Sequence, residues 1–202
     1  MQILRARKNL ELPVSQRQEE ILIGCILGDA HITKRGQIRI EQGEKQKDYL
    51  AWKYNELQSL AYQNIYQAQR RDKRNGKSYK SFYITLRQYF RPWRNIWYPN
   101  GKKIFSQRPS ITNLSLAVWY MDDGSWNKTR NAIILSIDGF DRNDRNKIQE
   151  FFKDELGIET LIRSNKQLRI RSNSHDRFFE KIRPYIIPSM EYKISNPVTT
   201  ES

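Results

Sequence analysis

A chain of 202 residues with 38% hydrophobic and 12% aromatic side chains is long enough to bury a sizeable core and is not a disordered polymer. Lys and Arg outnumber Asp and Glu by 36 to 22, and a net charge of +14 on a folded chain points to a polyanionic partner. With no apolar run of the roughly 18–20 residues that span a bilayer, no secretory apolar core at the N-terminus and Cys25 as the lone cysteine, the expectation is an intracellular chain without disulfides or a cysteine-based zinc site, in an organelle or a bacterium, and no membrane partner.

In chain order, residues 17–28 read as a helix of apolar and small residues. Gly24 and Gly28 are four apart on one face, where another backbone could approach closely. His31-Ile-Thr, a turn at Lys34-Arg35-Gly36 and a strand from Gln37 to Glu41 follow; Ile38 and Ile40 alternate there with polar neighbours. A helix is predicted from Lys45 to Tyr62, with Leu50, Tyr54, Leu57 and Ala61 at helical spacing. A second hairpin runs from Ile65 to Arg70 and from Tyr79 to Arg87, around a basic tip that ends at Lys77. Residues 89–98 are helical and aromatic, and the helix breaks at Pro99-Asn100-Gly101.

The second half repeats this order. A helix over 115–122 leads to strands at Trp126–Lys128 and Ala132–Asp138. A helix from Arg142 to Leu156 stops at Gly157, strands 158–163 and 167–172 follow, and a helix runs from Asp176 to Tyr185. The predicted fold class is therefore α+β, two pseudo-symmetric α-β-β-α-β-β-α repeats over residues 1–105 and 106–202. The join near Phe105–Asn113 is short and polar, so the halves are expected to pack as one body.

Each repeat opens with a short apolar helix that ends in an acid: Ile21 to Asp29 in the first, Ser115 to Asp123 in the second. This pair of motifs, set in the repeat, resembles the LAGLIDADG homing endonucleases, and specifically the single-chain branch that contains the yeast mitochondrial intron enzyme. The resemblance covers about Gln16 to Asn196. Its last acidic position falls on Asp29 and Asp123. The chain departs from the nine-letter pattern at Ala30 and at Val118, each standing for a glycine; Val118 would slightly widen the seam between the motif helices.

The resemblance implies a fold with the motif helices at its centre and two antiparallel sheets forming a DNA-binding saddle. It also implies metal-assisted phosphodiester hydrolysis, one strand per aspartate across the minor groove, leaving short 3′ overhangs. Two carboxylates brought to one volume repel unless cations bridge them, and Mg²⁺, two or three ions shared between Asp29 and Asp123, suits an oxygen site that keeps waters. Asp122 matches Gly28 of the first copy, so that position offers an ion either a backbone carbonyl or, in the second copy, a side chain. Lys103 and Lys193 follow the last helix and proline of each repeat, where family members carry a lysine near the active site. Lys102 competes with Lys103, and His31 lies close enough to be considered.

Strand alternation sorts the sheet faces. Ile38, Ile40, Phe82, Ile84, Leu86, Leu168 and Ile170 are expected to face helices. Gln37, Arg39, Glu41, Tyr83, Thr85, Arg87, Gln167, Arg169 and Arg171 would face DNA, and this Arg/Gln-rich mixture suits base-edge readout. Arg70, Arg71, Lys73, Arg74 and Lys77 at the hairpin tip would grip phosphates, and Lys128, Arg130, Arg163 and Lys166 join the DNA-contacting set. The five tryptophans read as core, and Asp138 and Asp141 as turn residues. The expected activity is that of a monomeric, site-specific endonuclease acting on double-stranded DNA at a long asymmetric target. The alternative is a maturase on the same scaffold, with intron RNA as partner; a non-catalytic regulator would have no need of both acids.

Overall fold

The elements follow one another in the order the sequence predicts, because each has a local reason to start and stop. The computed structural model describes residues 2–5, 11–71, 76–106 and 110–194. Of the expected DNA contacts, Lys73 and Arg74 lie outside the described residues, as do 107–109 of the join and the chain beyond Ile194.

Ahead of the repeats stands a hairpin that sequence patterning did not foresee, β1 (Gln2–Arg5) paired antiparallel with β2 (Glu11–Val14). Ser15 then caps α1 (Gln16–Leu27): its hydroxyl accepts the Gln18 N–H, and the Gln18 side chain accepts the Ser15 N–H. The first repeat continues with β3 (His31–Ile32), β4 (Ile38–Gly43), α2 (Lys47–Leu57), β5 (Tyr66–Arg71), β6 (Ser78–Thr85) and α3 (Arg91–Trp97). The second has α4 (Asn113–Asp123), β7 (Gly124–Asn127), β8 (Ala132–Ser136), α5 (Arg142–Asp154), β9 (Thr160–Ile162), β10 (Gln167–Ile170) and α6 (His175–Ile182).

The two four-stranded sheets have the same topology. Their orders are β3-β4-β6-β5 and β7-β8-β10-β9, with every pairing antiparallel. The inward residues are those the alternation selected: Ile38, Ile40, Phe82, Ile84, Leu86, Leu168 and Ile170 are all buried. No helix among the described residues is long and apolar enough to cross a membrane.

Several predicted elements are shorter than expected. The helix predicted over 45–62 is α2 flanked by 3₁₀ turns, because the chain must straighten at Ala61 and Tyr62 to bond Leu86 and Thr85 of the sheet. The strand predicted from 158 begins only at Thr160, since Ile158 bonds back to α5 and the Glu159 N–H goes to the Ser174 hydroxyl. The last helix gives way to a 3₁₀ turn at Arg183, where Pro184 has no N–H to offer.

The motif helices form the seam. Leu114 to Asp122 of α4 and Ile21 to Leu27 of α1 are buried, each Leu or Ile contributing about 1.5–3 kcal/mol. A Cβ on Gly24 would lie 2.5 Å from the Ser115 carbonyl oxygen and 2.6 Å from the Val118 Cβ. Gly24 thus makes room for the valine that replaces the family's central glycine on the facing helix.

Candidate active site

Both motif aspartates sit where α1 and α4 end, on adjacent helices, and so are delivered to one side of the seam. Asp29 is exposed in the turn after α1, and Asp123, half-buried, is the last residue of α4. Burial first, then the charges of Asp29 and Asp122, pushes Asp123 up to about 7, against the opposing pull of Lys103. The charge of Asp29 is thus among the causes that raise Asp123.

The predicted lysines arrive in matching places. Lys103 Nζ donates to the carbonyls of Leu27 at 2.8 Å and Gly28 at 3.0 Å. Lys193 Nζ donates to Met121 at 2.5 Å and Asp122 at 3.2 Å. Each lysine therefore covers the last carbonyls of its own repeat's motif helix, where the helix dipole favours a cation. Burial lowers both: Lys103 falls to about 8 despite Asp123 and Asp29, and Lys193 moves the same way for the same reason. Lys102 is exposed, and the contacts to the motif helix are made by Lys103.

Two residues at the site escaped the sequence reading. Gln42, the residue after the predicted end of β4, is buried and donates from Nε2 to Asp29 Oδ2 at 2.9 Å and to Asp122 Oδ1 at 3.3 Å. Lys53 of α2 is 0% exposed and places Nζ 2.5 Å from Asp122 Oδ1, over the Tyr49 ring. Burial opposes the Lys53 cation, but its contact with Asp122 outweighs this and holds its pKa above the ordinary lysine value. Asp138, assigned to a turn, adds its charge to the surroundings of Asp123 and Lys103.

The expectation for Asp122 as a side-chain metal ligand is corrected here. Its carboxylate is fully buried and committed to Lys53, Gln42 and the Asp29 N–H, which reaches Oδ2 at 3.3 Å. The Gly28 carbonyl, the other reading of that position, accepts Lys103. Among the described residues no three or more His, Cys, Asp or Glu side chains converge on one point. The protein offers an ion two carboxylates, Asp29 and Asp123, whose mutual repulsion a divalent cation would relieve. That donor set fits Mg²⁺, which takes few protein ligands and keeps its waters. His31 is engaged elsewhere, starting β3 edge-on to Tyr98.

On the outward faces, Gln37, Arg39, Glu41, Arg70, Tyr83, Thr85, Gln167 and Arg169 are half-buried. Arg71, Lys77, Arg87, Lys128, Arg130, Arg163, Lys166 and Arg171 are exposed. Glu41 and Arg70, expected as separate DNA contacts, hold each other: Arg70 donates twice to Glu41, each at 2.6 Å. Ser81 and Arg39 also bond Glu41, and Arg39 stacks on Tyr83. The Arg70 contact, with Ser81 assisting, holds Glu41 down at about 2. The tryptophans are packed, as expected, with Trp126 set edge-on to His175 and Phe179.

Known proteins resemble this chain in sequence and fold. A family model described as the LAGLIDADG DNA endonuclease family matches residues 19–178. The chain is 27% identical to a RecA protein of Mycobacterium shimoidei over 90% of its own length and 47% of that protein. It is 28% identical to the cytochrome b mRNA maturase bI2 of Debaryomyces hansenii over 93% of this chain and 77% of that one. The chain thus spans about half the length of the first of the curated relatives it matches. The homing endonuclease I-WcaI, solved bound to its DNA recognition sequence, superposes with a TM-score of 0.79 at 24% identity, covering 91% of this chain and 88% of that one, and so shares the fold. With most of its length matched by the family model and both motif helices packed at its centre, the chain belongs to the LAGLIDADG DNA endonuclease family.

Proposed function

We propose that this chain is a monomeric, site-specific endonuclease of the homing type. It cuts both strands of a long asymmetric DNA target with Mg²⁺ or a similar divalent ion and leaves short 3′ overhangs. The observation that carries the reading is the meeting of Asp29 and Asp123 at the ends of two packed helices, each flanked by a lysine on the helix's last carbonyls.

Divalent ions bound there would supply positive charge to the scissile phosphates and lower the pKa of bound water. The chain's own residues do the rest. Asp29 and Asp123 would hold the ions, one carboxylate for each strand. Lys103 and Lys193, fixed by their carbonyl bonds, present ammonium groups toward negative charge that builds on phosphate. Gln42 fixes the rotamer of Asp29. The outward faces of the two sheets lie along the major groove on either side of the cut, with Arg39, Gln167 and Arg169 aimed at base edges. Arg71 and Lys77 take phosphates. The two faces differ in sequence, so a monomer reads a site without a palindrome.

The test is cleavage of a randomised duplex library with Mg²⁺, with sequencing of the cut ends. Discrete ends with 3′ overhangs are expected, and tight binding without cutting in any divalent ion would overturn the reading. A second reading rests on the maturase relative, matched over 77% of its length. It predicts faster splicing of a group I intron RNA, with no metal-gated cut in DNA.

A further inference from the structure

The inference that follows rests on the nuclease reading and concerns a part of the site that the proposed chemistry leaves unused. Lys53 and Asp122 form an ion pair with both side chains 0% exposed. Such a pair loses its hydration on both sides and seldom stabilises a fold more than apolar residues of similar size would. Stability alone is therefore a poor reason for its presence. The first repeat shows what the same motif position looks like without it, since Gly28 stands where the second repeat has Asp122. A Cβ on Gly28 would lie 2.6 Å from both Cβ and Oδ2 of Asp122, so the glycine leaves the space that the aspartate fills.

The direction of the hydrogen bonds is the telling feature. Asp122 belongs to α4, in the second repeat, yet the three side-chain bonds it accepts come from the first. Lys53 Nζ reaches Oδ1 from α2 at 2.5 Å, and Gln42 Nε2 reaches Oδ1 from β4 at 3.3 Å. The Asp29 N–H reaches Oδ2 at 3.3 Å. Gln42 passes the constraint on, because the same Nε2 lies 2.9 Å from Asp29 Oδ2. Asp29 is thus held twice, through its backbone and through its carboxylate, by groups fixed on Asp122. Among the described residues no such hydrogen bond holds the Asp123 carboxylate. In the second repeat α5 buries Asp144, Ile148, Phe151 and Phe152, and the partner of Asp144 is the exposed Lys147 of the same helix.

We propose that Asp122, locked by Lys53, is a positioning residue for the aspartate of the opposite repeat, so that the strand served by Asp29 depends on this pair and the strand served by Asp123 does not. Asp122 touches neither DNA nor ion in this arrangement. It acts by fixing the turn at Asp29 and the amide of Gln42. A charged pair suits this task because a carboxylate accepts three donors at once; burial pushes the Asp122 carboxyl up, and the Lys53 ammonium at 2.5 Å opposes that push.

The test uses the full chain with two substrates, a supercoiled plasmid carrying one target site and a linear duplex of the same site with each strand end-labelled. Wild type and Asp29→Asn are run first, since the nick left by Asp29→Asn identifies the strand that Asp29 serves. The decisive variant is Lys53→Met/Asp122→Asn, which removes both charges together. Its cutting of the Asp29 strand is expected to fall about 10- to 100-fold, with the other strand at the wild-type rate, so nicked circles accumulate. Amide hydrogen exchange at Asp29 should speed up while that at Gly124 stays the same, and DNA binding in EDTA should be unchanged. Should the double variant fail to fold, Asp122→Asn alone serves, because Lys53 can then shed its proton; the same pattern is expected. Equal slowing of both strands would overturn the proposal. So would no slowing, or unaltered exchange at Asp29. Were wild type to cut no DNA at all, the nuclease reading would fall, and the exchange measurement alone would decide whether Asp122 positions Asp29.

Discussion

The two halves of the candidate active site share a plan but not a setting. Asp29 is exposed, lies in a turn just past its helix and is tied down by Gln42 and Asp122. Asp123 is half-buried, sits within its helix and is pressed on by like charges. Lys103 and Lys193, by contrast, make the same contacts in both halves. The backbone capping is therefore kept by both repeats, whereas side-chain support is one-sided. A duplicated fold can hold its framework symmetric while its two reactive groups come under different control.

The sharpest way to break that comparison is to remove one acid at a time. Asp29→Asn and Asp123→Asn should each lower double-strand cleavage by about a thousandfold, the equivalent of roughly 4 kcal/mol of transition-state stabilisation. The two variants should leave nicks in opposite strands, which end-labelled substrate distinguishes. Loss of cutting on both strands from either change would mean that the acids act as one unit. In the absence of DNA, Mg²⁺ should raise the thermal midpoint of wild type by relieving the repulsion at Asp123. The rise should vanish in Asp123→Asn, and a differential scanning measurement with and without EDTA checks it.

Next in size is the buried pair. Lys53→Ala leaves Asp122 with an uncompensated charge and should cost about 3–5 kcal/mol in urea unfolding. Lys53→Met/Asp122→Asn should recover most of that loss. A single Lys53→Ala cost below about 1 kcal/mol would show that water or a neighbouring donor replaces the ammonium, contrary to its complete burial.

Smaller again is the seam. Gly24→Ala places a Cβ against the Ser115 carbonyl and Val118, and should cost about 1–3 kcal/mol. Val118→Ala added to it should restore only part, because the carbonyl does not move with the side chain.

These features differ in how plainly the sequence announces them. Asp29, Asp123 and the two lysines are legible because they recur at matched positions, and repetition is a signal that survives without coordinates. The sheet faces are legible because Ile38 and Ile40 alternate with polar residues. Gln42 continues that alternation onto the inward face, where a glutamine is out of place, but the predicted strand stops one residue short of it. Lys53 lies three after Leu50 and four before Leu57, on the buried face of α2, and a lysine at such a position signals a buried partner. Its partner is Asp122, 69 residues away, and no local pattern encodes that meeting. The N-terminal hairpin has four-residue strands, too short for periodicity to mark.

The sheets offer the last and mildest contrast. On the first, Glu41 gathers Arg70, Ser81 and Arg39, the last stacked on Tyr83; on the second, strands β7 to β10 carry no acidic residue. Glu41 has a folded pKa near 2, below its ordinary 4.5. Its contribution to stability is therefore present above about pH 4.5 and lost as the pH falls toward 2. Glu41→Gln should flatten the acid limb of a stability profile in that window by lowering stability above about pH 4.5 and leaving it unchanged near pH 2; the loss at neutral pH should be small, since Arg70 is exposed to solvent screening. The effect on DNA is the more telling one. Without the carboxylate, Arg39 and Arg70 are released toward phosphates, so affinity for unrelated duplex should rise and the salt dependence should steepen by about one phosphate contact. Discrimination for the cognate site should fall, because arginines gripping the backbone no longer read base edges. Titrations against cognate and scrambled duplex at several salt concentrations separate the outcomes. Unchanged discrimination would mean that Glu41 braces the sheet and takes no part in aiming its arginines.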